Sequence, residues 1–533
     1  MNDIIRKSFT AVAVTLFFTS TLFAQFFNEN SLKLLRALDY IQAMYVDTIN
    51  QKQLVEAAIR GMLEELDPHS TYLTAEQVKE MNESIQGNFE GIGVSFNILN
   101  DTIFIINVIP GGPSQKVGVL AGDKIVRIDG KNVAGQKITN KEVMSKLRGP
   151  KGTKVTISVV RRGVNELLDF TIVRDKIPLN SVDAAYMLNS ETGYIKLDRF
   201  SQTTNTEFEK AIRKLLDQKA QNLIVDLTDN GGGILDEAVM LADHFLEKDR
   251  LIVYTKGAHT PRQEYRATGA GLFEKGKVIV LINENSASAS EIFAGAIQDW
   301  DRGIIVGRRS FGKGLVQRPV VFSDGSMIRL TVAHYYTPTG RDIQKPYKKG
   351  QSDEYEKDIL NRLKSGELTS KDSIHFSDSL KFFTLINKRT VYGGGGIMPD
   401  VFVPIDTSKV TKLYRDAFRT GAFNRFVLNY VDVNRQKINA QYPTFASYKQ
   451  NFSADALYPQ LIDFLRKEKI EVQDQDIENS KATMCRLIKA FIARDIWDSN
   501  EFYEIYNEDD PIIQEALKVL NKYDSILSST SGR

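Results

Sequence analysis

The segment 277–317 constrains the fold of this chain more than any other part of its 533 residues. It opens with an apolar run at 278–282, which has the length and composition of a buried strand. Small polar residues follow at 283–290, and a helical pattern then extends to about residue 300. A second short apolar run leads to a lysine between two glycines. The pattern predicts a serine on a strand-to-helix turn, with an amine returned beside it by the next strand.

This predicted turn has the geometry that a nucleophilic serine needs. A serine hydroxyl is barely acidic, so a base must take its proton as it attacks a carbonyl. None of the five histidines lies in or beside the segment, whereas Lys313 can act as the base if burial lowers its pKa. The free N–H groups of the helix N-terminus can stabilise an oxyanion. The alternative is a helix-capping turn followed by a surface lysine, and spacing does not choose among Ser286, Ser288 and Ser290.

The segment closely resembles the tail-specific, carboxy-terminal processing proteases, which are serine peptidases with a Ser–Lys dyad. In that family the nucleophile lies in a run of small residues before a Ser-Glu pair. Ser288 and Lys313, 25 residues apart, match the family's spacing, and Gln317 follows the lysine by four residues. The resemblance implies that Ser288 is the nucleophile, that Lys313 is its base and that Gln317 positions the lysine.

The region 86–176 combines short strand patterns with glycine turns and resembles a PDZ domain. Four signals in order carry the resemblance: Gly-Ile-Gly-Val at 91–94, Pro-Gly-Gly-Pro-Ser at 110–114, Gly-Asp-Lys-Ile at 122–125 and Arg-Gly at 148–149. The N–H groups of the first loop can hold a terminal carboxylate, while the adjacent strand edge pairs with an extended peptide. A helix at 140–147 would form the other wall of the groove.

Several residues of this module are candidates for binding a substrate's tail. They are Gly91, Ile92, Gly93 and Val94 in the loop, and Val143 and Leu147, with Met144, on the helix. The apolar helix residues predict a preference for an apolar carboxyl-terminal side chain, although some of the three must face the module's own core.

The region 177–404 extends the resemblance to the protease core, with a charged insertion at 345–392. A predicted buried strand at 222–227 leads into three glycines at 231–233. Where the family shows Asp-Leu-Arg-x-Asn-Pro-Gly-Gly, this chain has Thr228 for the arginine and Gly231 for the proline, which predicts a more flexible loop. The resemblance implies that the N–H groups of Gly232 and Ala289 form the oxyanion hole.

The N-terminus predicts export. Residues 1–24 have a basic start, a short apolar core and a small residue at the exit, which is typical of a secretory signal peptide. We therefore expect a periplasmic or secreted protein, with an N-terminally membrane-anchored protein as the alternative. Residues 25–85 follow a helical pattern. Within them, Asp67 and Pro68 begin a turn that His69 and Ser70 would close, so we interpret His69 as structural. His334, in a strand-like run, receives the same interpretation.

Composition excludes several classes of function. A net charge of +2 gives no basic excess for nucleic acid. The single cysteine, Cys485, excludes an internal disulfide and a cysteine-based zinc site. The five histidines are scattered and no His-Glu-x-x-His occurs, so we predict no metal and no cofactor.

The region 405–533 is mostly helical by pattern and carries no recognised motif. One apolar helical face comprises Met484, Leu487, Ile488, Phe491 and Ile492. Such a face is more often core or a subunit contact than a ligand site, and assembly into a homo-oligomer through this extension is a hypothesis.

These observations predict an α/β (α+β) protease core of the tail-specific type, with an inserted PDZ domain, an N-terminal helical region and a helical C-terminal extension. The expected function is that of a serine endopeptidase that cleaves exported proteins near their carboxyl ends. Its expected partners are proteins or peptides with apolar C-termini, and an adaptor is a further candidate. The alternative is a non-catalytic exported PDZ receptor on a decayed protease core, which the altered loop at 228–231 favours.

Overall fold

The computed structural model describes residues 28–406 and 410–528. The predicted signal peptide lies outside the described residues, and none of the helices within them is long and apolar enough to cross a membrane. The N-terminal region consists of α1 (Glu29–Met44), α2 (Gln51–Glu64), β1 (Thr71–Leu73) and α3 (Ala75–Gln86). A short strand therefore interrupts the predicted helices.

The second region is a β-rich module. Its elements are β2 (Asn88–Gly91), β3 (Val94–Leu99), β4 (Thr102–Val108), α4 (Pro113–Lys116), β5 (Lys124–Ile128), β6 (Lys131–Asn132), α5 (Asn140–Leu147), β7 (Lys154–Val160), β8 (Leu168–Val173) and β9 (Asp175–Pro178). The main sheet has the order β3-β4-β5-β7-β8, with β6 paired to β5. The first and last strands, β2 and β9, pair with each other, with Asn88 opposite Pro178. This pairing brings the two ends of the module together, as an insertion into another domain requires.

The third region alternates strands and helices. Its elements are β10 (Val182–Met187), β11 (Thr192–Leu197), α6 (Thr204–Asp217), β12 (Asn222–Asp226), α7 (Leu235–Asp243), β13 (Leu251–Lys256), β14 (Gln263–Arg266), β15 (Lys277–Ile282), α8 (Ala289–Asp299), β16 (Ile304–Gly307), β17 (Leu315–Val321) and β18 (Met327–Tyr336). After it come α9 (Ser352–Glu356), α10 (Asp358–Lys364), two 3-10 turns (Lys371–Ser373 and Asp378–Leu380), β19 (Lys381–Phe383), β20 (Thr390–Tyr392) and β21 (Val401–Phe402).

A six-stranded sheet with the order β10-β11-β12-β15-β16-β21 forms the centre of this region. Its strands are parallel except β10. The strand sequences are continuous apolar runs because both faces are buried. On β15, Val278, Val280 and Ile282 pack under α6, α7 and α8. The alternate residues Ile279 and Leu281 belong to a second core on the opposite face. The predicted α/β core is confirmed.

A second, five-stranded sheet carries the part of the chain that follows Lys313. Its order is β1-β18-β13-β14, and β17 pairs with β18. All of these pairings are antiparallel. Because β1 comes from the N-terminal region, Thr71 lies opposite Arg329 on β18. The N-terminal region is therefore joined to the protease core through backbone hydrogen bonds.

The C-terminal region is helical, as predicted. Its elements are α11 (Lys412–Arg419), α12 (Ala422–Gln441), α13 (Phe445–Asn451), α14 (Tyr458–Lys467), α15 (Asp474–Ile496), α16 (Ser499–Tyr506), a 3-10 turn (Asn507–Asp509), α17 (Pro511–Asn521) and α18 (Tyr523–Ser528). The predicted apolar face of α15 packs inside this region's own core, where Met484, Leu487 and Ile488 are buried. That face is therefore used within the chain and is not free for a subunit contact.

The last helices are more than an extension. Ile513, Ala516, Val519 and Leu520 of α17 are buried against Ile224, Ile279 and Val306 of the central sheet. They cover the sheet face opposite α6, α7 and α8, so residues 511–528 supply the third layer of the protease core. The expected boundary at residue 405 therefore does not separate a core from an appendage.

The third layer makes a testable prediction about stability. We expect Leu520→Ala to lower the free energy of opening of the central sheet by about 2–5 kcal/mol, because a buried leucine is replaced by a cavity. Hydrogen exchange of the β15 and β16 amides measures this change. Lys518→Ala, on the exposed side of the same helix, is the matched control and should change it by less than about 0.5 kcal/mol. Equal exchange rates in the two variants would contradict the assignment of a third layer.

Candidate active site

Ser288 lies on the turn between β15 and α8, immediately before the first helical residue. Its backbone has φ 57° and ψ −113°, a region that residues with side chains rarely adopt. This conformation presents Ser288 to a cavity of about 530 Å³. Ser286 and Ser290 are fully buried, and their hydroxyls donate to the carbonyls of Leu227 and Asn230. Of the three candidate serines, Ser288 is the one that lines the cavity.

Lys313 lines the same cavity from the segment between β16 and β17. Burial, followed by the nearby charge of Arg329, lowers the pKa of its ammonium group from the ordinary value of 10.5 to about 8. The carboxylates of Glu291 and Asp67 act in the opposite direction. At this pKa, a substantial fraction of the amine is neutral in mildly alkaline solution, as a general base requires.

The buried carboxylate of Glu291 ties the two segments together. It accepts a hydrogen bond from the backbone N–H of Ser288 at 2.8 Å. It also accepts from the N–H groups of Gly312 and Lys313 at 2.7 and 2.9 Å, and from the Ser310 hydroxyl at 2.5 Å. Burial raises the pKa of this carboxyl, and these four donors oppose that rise. One side chain thereby fixes the backbone of both the serine turn and the lysine segment.

Tyr335 provides a second link between these segments. Its side chain is fully buried, and its hydroxyl lies within hydrogen-bond distance of the Ser288 carbonyl oxygen at 3.1 Å and of the Lys313 carbonyl oxygen. Because the hydroxyl has one proton, it donates to one of these two acceptors at a time. With Glu291 on the N–H side and Tyr335 on the carbonyl side, the backbone on both sides of the candidate dyad is held.

The glycine loop lies directly against the serine turn. A Cβ atom at Gly232 would come within 2.7 Å of Ser288 Cβ and 2.9 Å of the Ala289 nitrogen, so only glycine fits there. In this conformation the Gly232 N–H donates to Asn230 Oδ1 at 2.9 Å. Side-chain hydrogen bonds hold this loop, since Lys196 donates to the Thr228 carbonyl oxygen and Asp229 accepts from Asn283 and Asn285.

Gln317 lines the cavity from β17, so it is a strand residue four positions past the lysine. Its amide lies 3.4 Å from the Thr331 hydroxyl, which donates to Asp67 at 3.0 Å. Asp67 also accepts from the N–H groups of His69 and Ser70, which confirms the predicted turn. This turn therefore also supports the neighbourhood of Gln317 and Lys313, a role that the sequence did not indicate.

His69 and His334, both interpreted from the sequence as structural, each lie within hydrogen-bond distance of another side chain. Burial, followed by the charge of Lys313, lowers the pKa of His69 to about 3, and its Nε2 lies 2.8 Å from the Tyr355 hydroxyl of the insertion. His334 lies on β18, as predicted, and pairs with Asp342 at 2.9 Å. A hydrogen bond from that aspartate raises the pKa of His334.

A groove of about 380 Å³ lies on the β-rich module between β3 and α5. The predicted residues Gly91, Ile92, Gly93 and Val94 line one side, and Leu147 lies on the other. Val143 is a correction, because its side chain is fully buried in the module's core and does not line the groove. Its neighbour Met144, which is 38% exposed, lines the groove instead. Helical geometry turns adjacent residues by about 100°, which separates the two roles.

Four supporting residues were not identified from the sequence as parts of the site: Glu291, Tyr335, Asp67 and Arg329. The sequence could have identified Glu291, because it belongs to the Ser-Glu pair that follows the nucleophile motif. The others come from β18 and from the N-terminal turn, and sequence separation hid their proximity to the serine.

Comparison with known families supports the same assignment. Peptidase family S41 matches residues 191–353, and the PDZ domain family matches residues 91–172. The N-terminal domain of the activating protease CtpB matches residues 19–77. A family of unknown function matches residues 413–498, which lie in the helical C-terminal region.

Curated relatives extend the match beyond single domains. The carboxy-terminal-processing protease of Bartonella bacilliformis is 40% identical over 308 residues, which cover 57% of this chain and 70% of the relative. The carboxy-terminal processing protease CtpA of Bacillus subtilis is 34% identical over 344 residues, covering 63% and 73%. A solved photosystem II D1 C-terminal processing protease is 28% identical over 60% of this chain and 90% of its own, with a TM-score of 0.34. On the sequence matches to these relatives, the chain belongs to the carboxy-terminal processing protease family.

Proposed function

We propose that this protein cleaves exported proteins near their carboxyl ends with a Ser288–Lys313 dyad. The observation that carries the proposal is that Ser288 and Lys313 line one cavity while a single buried carboxylate, that of Glu291, binds the backbone of both. A turn and a surface lysine that served only to cap a helix would not need this arrangement.

In the proposed reaction, Ser288 Oγ attacks the substrate carbonyl and its proton passes to neutral Lys313 Nζ. The lysine then gives that proton to the leaving amine, and an acyl-enzyme remains on the serine. A water molecule attacks the acyl group with Lys313 as base, which releases the shortened protein. Gln317, on the same cavity wall, positions the lysine side chain.

The proposed oxyanion donors are the N–H groups of Ala289 and Gly232. Ala289 is the first residue of α8, so its N–H points out of the helix N-terminus beside the nucleophile. Gly232 N–H is bound to Asn230 in this conformation and has to turn toward the substrate to contribute. Because the N–H of Ala289 needs no such rotation, Ala289 is the principal donor in this proposal.

The groove between β3 and α5 is the proposed receptor for the substrate's tail. Its glycine loop offers N–H groups for a terminal carboxylate, and Met144 and Leu147 offer an apolar wall. This arrangement favours proteins with an apolar last residue. An adaptor protein and assembly through the C-terminal helices stay predictions.

The alternative of a non-catalytic receptor has lost its support. It relied on the altered loop at 228–231, and that loop is held by side-chain hydrogen bonds from Lys196, Asn283 and Asn285. Export is part of the proposal, and N-terminal sequencing of the mature protein from the cell envelope distinguishes cleavage after Ala24 from a retained anchor.

The dyad predicts the effect of pH and of substitution at Lys313. Because the base must be neutral and its pKa is about 8, kcat/KM should fall about tenfold per pH unit below pH 8. Lys313→Ala should reduce kcat by several orders of magnitude, and Lys313→Arg should not restore it, since a guanidinium stays charged. Cleavage of a protein with an apolar carboxyl end, followed by mass spectrometry, measures both.

Serine substitutions provide the control for this experiment. Ser288→Ala should abolish cleavage, whereas Ser290→Ala removes a buried hydrogen bond and should retain activity within about tenfold. A rate for Lys313→Ala near that of the unmodified protein would rule out the dyad.

Glu291 predicts a separate signature. Glu291→Gln replaces an acceptor of four hydrogen bonds by a side chain whose NH2 group faces backbone donors, so kcat should fall by about 100-fold or more. Because the charge of Glu291 raises the pKa of Lys313, its removal should lower that pKa. The acid limb of the pH–rate profile of the residual activity should therefore move to lower pH. Glu209→Gln on an exposed face of α6 is the control. An unchanged limb in Glu291→Gln would argue against the link between the two residues.

The groove predicts a binding phenotype. In a Ser288→Ala background, Met144→Glu should weaken binding of a peptide with an apolar carboxyl end by about tenfold or more, because it sets a carboxylate beside the bound tail. Ser145→Glu adds the same charge on the exposed side of α5 and should leave the dissociation constant nearly unchanged. Fluorescence anisotropy measures both. Equal affinities for the two variants would exclude this groove as the receptor.

A further inference from the structure

Arg329 is a cation on the wall of the cavity, and it has no direct part in the proposed proton transfers. It lies on β18, where the alternation of side chains puts it on the same face as Thr331, and it lines the cavity together with Tyr335. Tyr335 contacts the serine turn and Thr331 contacts Gln317. Arg329 therefore faces the same space as the nucleophile and its base.

The guanidinium of Arg329 has no partner among the described residues. Its Nε is buried and makes no hydrogen bond. No ion pair involving it is formed within residues 28–406 and 410–528. An unpaired, partly desolvated charge is costly in a folded protein, so this cation calls for a ligand that arrives from outside.

The two carboxylates whose charge acts on Lys313 are occupied elsewhere. Asp67 accepts four hydrogen bonds, from the N–H groups of His69 and Ser70 and from the hydroxyls of Ser70 and Thr331. Glu291 accepts its four from the serine turn and the lysine segment. No carboxylate is among the described residues that line the cavity, where the charged groups are Lys313 and Arg329.

We propose that Arg329 recognises a carboxylate of the substrate chain bound in the active-site cavity, and so contributes to the choice of the bond that is cleaved. The carboxylate comes from one of two sources: the substrate's carboxyl terminus or an acidic side chain close to the scissile bond. The apolar residues of the lining, Met81, Ile85 and Leu235 among them, contact the neighbouring apolar part of the substrate. This inference rests on the proposed function of the same cavity.

A guanidinium matches a carboxylate with two parallel hydrogen bonds, and such charge-assisted bonds are the strong ones. The geometry therefore favours carboxylate over the isosteric amide by about 10- to 100-fold in kcat/KM. Lysine at this position would keep the positive charge but could not make the two parallel hydrogen bonds, so it should retain a part of the preference for carboxylate.

The test uses two pairs of peptides built around a cleavage site mapped on a protein substrate. The two peptides of the first pair differ only at the carboxyl terminus, which is a free acid in one and an amide in the other. The two peptides of the second pair both end in an amide and differ in having Glu or Gln beside the scissile bond. The full-length protein is compared with Arg329→Gln, Arg329→Lys and Arg318→Gln, the last at an exposed position on the adjacent strand. Any preference of the PDZ groove for a free carboxylate is common to all four proteins and cancels when their ratios are compared.

We expect the unmodified protein to prefer the carboxylate in one pair by about 10- to 100-fold, and that pair identifies the source. Arg329→Gln should reduce the preference at least tenfold, Arg329→Lys should keep part of it, and Arg318→Gln should leave it unchanged. A ratio that is the same with and without Arg329, or a ratio near one in both pairs, would overturn the inference. A shifted pH profile in Arg329→Gln with an unchanged ratio would overturn it as well, because Arg329 would then act on Lys313 alone.

Failure of the proposed function gives a different result. If Ser288→Ala cleaves as well as the unmodified protein, the dyad is wrong whatever Arg329 does. Arg329 is then tested by binding instead of turnover. Fluorescence anisotropy measures the affinity of the same peptides for Ser288→Ala and for Ser288→Ala/Arg329→Gln. Loss of the carboxylate preference in the double variant supports the inference, and an equal preference in both proteins overturns it.

Discussion

The candidate site depends on one buried carboxylate, that of Glu291. A nucleophile at the end of β15 and a base before β17 belong to segments with no local reason to meet, because a helix and a strand separate them. Glu291 joins them through three backbone N–H groups and one hydroxyl. Removing an ionised group from water is unfavourable, and only such a complete set of donors makes it tolerable. Three of the four donors are backbone groups, so the interaction fixes the path of the chain and not only the position of one side chain.

The basicity of Lys313 results from opposing influences that come from different parts of the fold. Burial by the cavity wall and the charge of Arg329 on β18 lower its pKa, while Glu291 on α8 and Asp67 in the N-terminal turn raise it. The balance at about 8 keeps the amine neutral often enough to accept a proton and still basic enough to hold one. A lysine with the same local sequence in an exposed glycine turn would have its ordinary pKa, so the chemistry belongs to the tertiary environment.

Sequence patterns predicted the elements that follow a local rule. The apolar run of β15 and the helix after it appear as expected, and the choice of Ser288 came from the family motif, not from spacing. The patterns did not predict contacts made across the chain. Val143 and Met144 were both candidates for the groove, and only packing decides which one faces the core. The C-terminal helices have apolar faces in the sequence pattern. The local pattern does not indicate that α17 covers the central sheet while the face of α15 packs within its own region.

The same argument explains why an unremarkable N-terminal turn belongs to the site. β1 pairs with β18, which places Asp67 beside Thr331 and, through it, beside Gln317. From there α3 carries Met81 and Ile85 along the cavity, and after Gly87 it leads directly into β2 at the base of the tail-binding module. One continuous segment therefore carries the carboxylate that raises the pKa of the base, lines the cavity and leads to the groove. Since both ends of this segment are held by strand pairing, a displacement at the groove must be absorbed by the cavity wall or by the strands themselves.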